Sequence, residues 1–243
     1  MNNDLLFAGN VSCSQCPIRH RAVCSRCEPD ELAQLDAIKY YRTFEAGQMI
    51  AWAGEPMDFV SSVVEGVALV SQTLEDGRRQ MVGLLLPSDF IGRPTRAISP
   101  YDVAAVTDLT LCCFRRAPFR QLLEDTPHLS QRLLEMTIDD LDAAREWMLV
   151  LGRKTAREKI ASLFMIMARR ASTPEGRSVR FDLPLTREAI ADYLGLTLET
   201  VSRQISALRK DAVVELVGKR HIRVPNVDVL LAETGDESGY MVG

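Results

Sequence analysis

Six cysteines are the residues of this sequence best suited to chemistry, and four of them crowd into one short stretch. Cys13, Cys16, Cys24 and Cys27 stand as C-x2-C-x7-C-x2-C in SCSQCPIRHRAVCSRCE, among basic side chains. Cys112 and Cys113 form an adjacent pair far downstream. Thiolates hold soft metals, and C-x2-C brings two sulfurs to one centre. Zinc and iron–sulfur clusters both take four thiolates, so spacing alone leaves them open, as it does a thiol-redox switch. The 7-residue spacer is shorter than most zinc ribbons use. The opening MNNDLLFAGN has neither a basic n-region nor a long apolar h-region, so no secretory leader is expected. The thiols therefore point to metal or redox chemistry in a reducing cytoplasm, not to a disulfide framework.

A second constellation lies at residues 186–210, TREAIADYLGLTLETVSRQISALRK. Thr186 can cap a first helix, with Ile190, Tyr193 and Leu194 on its inward stripe and the small Ala191 where a second helix crosses closely. Gly195 permits a left-handed turn. Thr197 caps the second helix, whose Val201, Ile205 and Leu208 face inward. This is helix-turn-helix grammar. Glu199, Ser202 and Arg203 then share one outward face near the second helix's N-terminus, the end that enters a major groove. Arg grips guanine bidentately, Glu accepts from cytosine, and Ser adapts to either partner. Gly218-Lys219-Arg220, between Val213–Val217 and Ile222–Val224, reads as a basic wing that touches phosphate.

These residues need elements to position them, and 243 residues allow one or two domains. The apolar fraction of 47% and charged fraction of 26% are ordinary for a globular chain, and no run approaches a membrane span. Charge is unevenly spread. Residues 1–152 hold 14 Lys and Arg against 21 Asp and Glu; residues 153–229 hold 15 against 9; the last 14 hold none against 3. A basic block behind an acidic one suggests a nucleic-acid-binding module joined to a different domain.

Asp30–Ile38 reads as a short helix through Leu32, Leu35 and Ile38. From Tyr40 to Arg116, short β-rich runs alternate with turns, which argues a β-barrel or jelly roll. Gly66, Gly77 and Gly92 sit where tight turns need positive φ. Helical period returns at Pro127. Leu134, Thr137, Leu141, Ala144, Met148 and Leu151 recur at alternating spacings of 3 and 4, an a/d seam suited to a partner chain. A second stripe of Leu133, Met136, Trp147 and Val150 suits packing within the chain, and Gly152 ends the helix. A helix over 154–170 and a strand over 179–183 follow. The expected class is α+β. It comprises a cysteine-rich arm over 1–28, a β-roll over 29–126, a dimerisation helix over 127–152, a winged helix-turn-helix over 153–231 and a disordered acidic tail over 232–243.

A β-roll, a long seam helix and a C-terminal winged helix-turn-helix together resemble the CRP/FNR family of bacterial regulators over nearly the whole chain. The segments CSQCPIRHRAVC, LTLCCFRRAPF, LEMTIDDLDAAREWMLVLGRKTAREKIA and LTLETVSRQISAL are similar to its oxygen-sensing FNR branch. That resemblance implies a cytoplasmic transcription regulator that works with RNA polymerase. A 4Fe–4S cluster would support a DNA-binding homodimer, and oxygen would convert the cluster to a 2Fe–2S form, loosening the dimer and releasing DNA. Carried over, the arm ligands are Cys13, Cys16 and Cys24. The fourth falls on Cys112, counted back from Pro127, and Cys113 points to the other strand face. The spacer before Cys24 is longer than in the enterobacterial pattern, and Cys27 is extra. The family half-site TTGAT, paired with ATCAA, would be read by Arg203 at guanine, Glu199 at the opposite cytosine and Ser202 at a thymine.

A cyclic-nucleotide receptor on the same fold is the nearest rival. Its phosphate cassette resembles G-E followed by R-[ST]-A, whereas here Gly92 leads into Arg93-Pro94 and Arg96 directly precedes Ala97. An enzyme is not expected: the chain has no P-loop, H-E-x-x-H, G-x-S-x-G or dinucleotide fingerprint, and His20, His128 and His221 are scattered.

Overall fold

The computed structural model describes residues 11–170, 174–175, 177–218 and 220–236. The chain divides into two compact units, with the division between Thr137 and Ile138.

In the first unit the arm opens with a single 3-10 turn, Cys13–Gln15, and leads to α1 (Pro29–Ile38). Pro29 suits a first helical position, where its missing N–H costs nothing. The Glu31 carboxylate accepts the Glu28 backbone N–H at 2.8 Å and closes that helix end. Eight strands follow: β1 (Lys39–Phe44), β2 (Met49–Ala51), β3 (Phe59–Glu65), β4 (Ala68–Thr73), β5 (Arg79–Leu85), β6 (Phe90–Ile91), β7 (Asp102–Ala105) and β8 (Leu109–Arg115). They form two four-stranded antiparallel sheets, ordered β1-β8-β3-β6 and β2-β7-β4-β5. This is the expected roll. Gly66, Gly77 and Gly92 all take positive φ. At Gly66 the need is steric as well, since a Cβ would stand 2.2 Å from the Asp108 carbonyl oxygen.

Two helices complete this unit's framework. α2 (Arg116–Asp125) starts directly off β8, and α3 (Pro127–Arg153) follows after Thr126. α2 was not foreseen, because only Phe119 and Leu122 of its short span are buried. The two faces of the first sheet serve different cores. Phe44, Phe59, Val63, Leu111 and Cys113 join the interior of the roll. Val60, Val64, Cys112 and Phe114 join a second core with the arm, α1, α2 and the first half of α3. Phe119 anchors that second core, its ring 5.2 Å from Phe114 and 5.7 Å from Phe90. A fully buried side chain of this size contributes about 1.5–3 kcal/mol.

The second unit begins within α3. α4 (Ala156–Arg170) buries Ile160, Leu163, Phe164 and Met167 as its period predicts. β9 (Pro174–Glu175) and β10 (Ser178–Asp182) precede α5 (Arg187–Leu194) and α6 (Leu198–Lys210). β11 (Glu215–Val217), β12 (His221–Val224) and α7 (Val227–Ala232) close the fold, with the sheet ordered β11-β12-β10-β9.

Three boundaries differ from expectation. α3 continues one residue past Gly152, whose backbone stays helical. The division of units falls inside α3, because Leu133 and Met136 pack into the first unit's core while Trp147 stacks on Tyr193 of the second at 4.6 Å. The disordered tail does not begin at Ala232, which ends α7. Beyond it, Glu233 pairs with Arg157 at 2.6 Å, Asp236 pairs with Lys154 at 2.7 Å, and Thr234 is buried. The acidic residues are thus drawn onto the basic start of α4. Residues 237–243 lie outside the described residues.

Candidate functional site

Strand alternation sorts the cysteine pair. On β8, Cys112 stands opposite Tyr41 of β1 and Ser62 of β3, while Cys113 stands opposite Tyr40 and Ser61. Directly opposed residues share a sheet face, so Cys112 and Cys113 belong to opposite faces. Cys112 lies in the core that contains Cys13 and Cys27, with Cys16 and Cys24 packed against it. Cys113 is fully buried in the roll interior, away from the arm.

The electrostatics tie Cys112 to the arm thiols. Burial pushes the Cys112 thiol well up, and the sulfurs of Cys13, Cys16 and Cys24, then of its neighbour Cys113, push it further as like charges. Burial likewise raises Cys13 to about 12 and Cys24 to about 11, with Cys24 acting on Cys13 and Cys16 on Cys24. Cys16 is raised by burial. Cys27, raised by burial to about 12, feels Cys24 but neither Cys13 nor Cys112 among its causes. Cys113, also raised by burial to about 12, is opposed by Arg42 and not by the arm. Cys13, Cys16, Cys24 and Cys112 are thus gathered as one set in the arm core, with Cys27 beside Cys24, and the sheet face sets Cys113 apart from them.

Several polar contacts hold this set in place. The Cys13 backbone N–H donates to the Asp36 carboxylate at 2.8 Å, and Lys39 Nζ lies 3.7 Å from Cys13 Sγ and bonds both Asp36 and the Val11 carbonyl. The Arg132 guanidinium of α3 donates to the Arg21 carbonyl at 2.8 Å, and Glu135 of α3 pairs with Arg26 at 2.8 Å. His128 Nδ1 lies 3.0 Å from Glu31, linking α3 to α1. Apart from the local Lys39–Asp36 pair, these join distant segments through tertiary packing, which local periodicity cannot foretell. Ser62 Oγ, on the Cys112 face and 2% exposed as a residue, has no hydrogen-bond partner.

Soft thiols, an apolar wall and a free buried hydroxyl suit an iron–sulfur group, whose sulfurs accept hydrogen bonds. As the side chains stand, no three His, Cys, Asp or Glu among the described residues converge closely enough to hold a metal ion.

In the second unit the helix-turn-helix is built as its sequence implies. Thr186 Oγ1 accepts from the Ala189 N–H at 3.1 Å and Thr197 Oγ1 from the Thr200 N–H at 3.2 Å. Gly195 sits at φ 61°, ψ 45°, a left-handed turn that a side chain disfavours. Ile190, Leu194, Val201, Ile205 and Leu208 are buried. Glu199, Ser202 and Arg203 are exposed together on α6. Glu199's own backbone N–H and the Thr197 hydroxyl hold its carboxyl below the usual range. In the wing, Gly218 takes φ 75° and His221 pairs with Asp182, while Lys219 lies outside the described residues.

Residues 158–233 match the model of the Crp-like helix-turn-helix domain, and residues 41–126 match that of the cyclic nucleotide-binding domain. The chain is 64% identical over 230 residues, 93% of each chain, to the transcriptional activator protein FnrL of Cereibacter sphaeroides. It belongs to the CRP/FNR family of transcription regulators. A probable transcriptional activator of Rhizobium leguminosarum bv. viciae is 43% identical over 90% of this chain and 92% of its own. The structure of FixK2 from Bradyrhizobium japonicum superposes with a TM-score of 0.75 at 30% identity, covering 83% of this chain and all of that one. As a CRP/FNR regulator, the protein binds DNA through α5 and α6. The nucleotide-domain match describes its roll. At the cassette position, Arg93 and Arg96 are both exposed, and Gly92 is not followed by an acidic residue.

The seam residues also have a clear position. Leu134, Leu141 and Met148 are 61%, 50% and 73% exposed, Thr137 and Ala144 are exposed, and Leu151 is half-buried. Leu133, Met136, Trp147 and Val150 are half-buried or buried, so α3 carries one covered apolar stripe and one uncovered. Among the described residues no helix is long and apolar enough to cross a membrane.

Proposed function

We propose that this regulator responds to oxygen, binding palindromic TTGAT-type DNA as a homodimer while Cys13, Cys16, Cys24 and Cys112 hold a 4Fe–4S cluster. The observation that carries the reading is the placement of Cys112, but not Cys113, on the sheet face that packs against the arm cysteines. When bound, such a cluster supplies a centre that oxygen degrades. Cys13, Cys16, Cys24 and Cys112 would each supply one thiolate to it.

The chain's own residues carry the consequence to α3. Arg132 and Glu135 hold the arm at Arg21 and Arg26, and the neighbouring Leu134 and Thr137 belong to the exposed seam. An arm ordered by its ligands steadies these contacts, while an arm without them leaves α3 less constrained. Pairing of two seams then brings two copies of α6 to two half-sites, as palindromic recognition requires. RNA polymerase is the partner that a DNA-bound activator of this kind serves.

Anaerobic purification with chemical analysis tests the cofactor. Iron and acid-labile sulfide should each be present at about four per chain. Zinc without sulfide would instead establish a structural zinc site, and no metal a thiol-redox switch.

At the DNA, Arg203→Ala should cost about 1–3 kcal/mol at its guanine and flatten discrimination there. Fluorescence anisotropy on the palindrome and on a guanine-substituted duplex checks this. Equal loss on specific and random DNA would assign Arg203 to phosphate.

A further inference from the structure

Lys39 is an ammonium in an unusual place. It opens β1 and shares the sheet face of Tyr41 and Cys112, and its side chain is only 3% exposed. Burying a charge is costly unless it is paired. Its partners are the Asp36 carboxylate, the Val11 carbonyl and the Cys13 sulfur at 3.7 Å, with the Tyr41 ring centred 5.7 Å away. Asp36 is in turn pulled down to about 2, chiefly by Lys39 and then by the Cys13 N–H. One carboxylate therefore already balances this ammonium. A second reason to bury it is the negative charge that four thiolates and their cluster would carry. Its charge acts on Cys13, Cys16 and Cys24, and Cys112 acts back on it.

We infer that Lys39 is a positioning residue of the cluster site, a fixed counter-charge that sets the reduction potential of the bound group, with Asp36 setting how much of that charge is felt. The inference rests on the cluster reading above. Cluster potentials depend on net charge, sulfur hydrogen bonds and solvent exposure, and a buried cation favours the more negative, reduced form. Removing the ammonium lowers the potential. Neutralising its carboxylate while keeping an acceptor raises it.

The test is a mediated redox titration of the anaerobically loaded full chain, in which one electron passes from a reduced mediator to the cluster. Iron and sulfide are counted in each sample. Lys39→Met should shift the potential negative at unchanged iron and sulfide, Asp36→Asn should shift it positive, and Lys39→Arg should restore the wild-type value. A merely structural tie to the arm predicts no such opposite signs. Full loading of Lys39→Met with an unmoved potential overturns the inference. If Lys39→Met does not load, Asp36→Asn decides: an upward shift supports the inference and an unmoved or lowered potential overturns it. A wild type without iron and sulfide overturns the cluster reading itself, and this inference with it.

Discussion

Cys112→Ser should abolish the iron–sulfur chromophore proposed for the anaerobic protein, and Cys113→Ser should leave it in place. The two cysteines are neighbours on β8, and strand alternation turns them to opposite faces. The structure separates them by a sheet face, with Cys112 in the arm core and Cys113 in the roll. A serine oxygen is a harder, poorer ligand than a thiolate for a cluster iron. Loss should therefore be nearly complete at Cys112, and likewise at Cys13, Cys16 and Cys24. Cys27→Ser should keep the colour. Cys113→Ser has a different cost. It places a hydroxyl in a fully buried apolar site, which should lower stability by about 1–3 kcal/mol without bleaching the protein. Visible absorbance, iron analysis and thermal unfolding separate these outcomes. A brown Cys112→Ser beside a colourless Cys113→Ser would reverse the fourth ligand.

Ala144→Leu should give a dimer that persists in air. Ala144 lies in the exposed seam of α3 between Leu141 and Met148. With Thr137, it makes the seam weaker than one with larger apolar residues at every layer. Extending the side chain by three carbons adds about 2 kcal/mol of burial per protomer at roughly 0.8 kcal/mol per methylene. Over two protomers that lowers the dimer dissociation constant by on the order of a thousandfold. A ligand shifts an equilibrium only by its differential affinity for the two states, so a dimer this much tighter escapes its control. Sedimentation velocity on wild type and variant, before and after air exposure, reads the result. A wild type that stays dimeric after cluster loss would move the switch from association to the orientation of α6.

Much of this was written locally. Thr186, Gly195 and Thr197 specify caps and a turn through their own backbone demands, and the structure places each as its chemistry requires. The period of α3 separates a covered stripe from an exposed one. Alternation along β8 is enough to put Cys112 and Cys113 on opposite faces. What the local pattern could not carry was the partner of each charged residue. KYYRTF reads as a strand, and nothing within it says that Lys39 is buried beside Cys13. Arg132 and Glu135 sit on a helix face that looks solvated, yet they hold Arg21 and Arg26, whose positions follow only from the docked arm. α2 and α7 escaped notice because each buries too few residues to show a period. The wing's Lys219, read as a phosphate contact, lies outside the described residues.

If the four-thiol site governs DNA binding, affinity follows the cluster. Anaerobically loaded protein is titrated into a labelled duplex carrying TTGAT and ATCAA half-sites, and the titration is repeated on the same sample after air has bleached its chromophore. Iron and sulfide are counted at both stages. The loaded dimer should bind tightly and sequence-specifically, and that binding should be lost as iron and sulfide fall. Equal affinity before and after bleaching would contradict it.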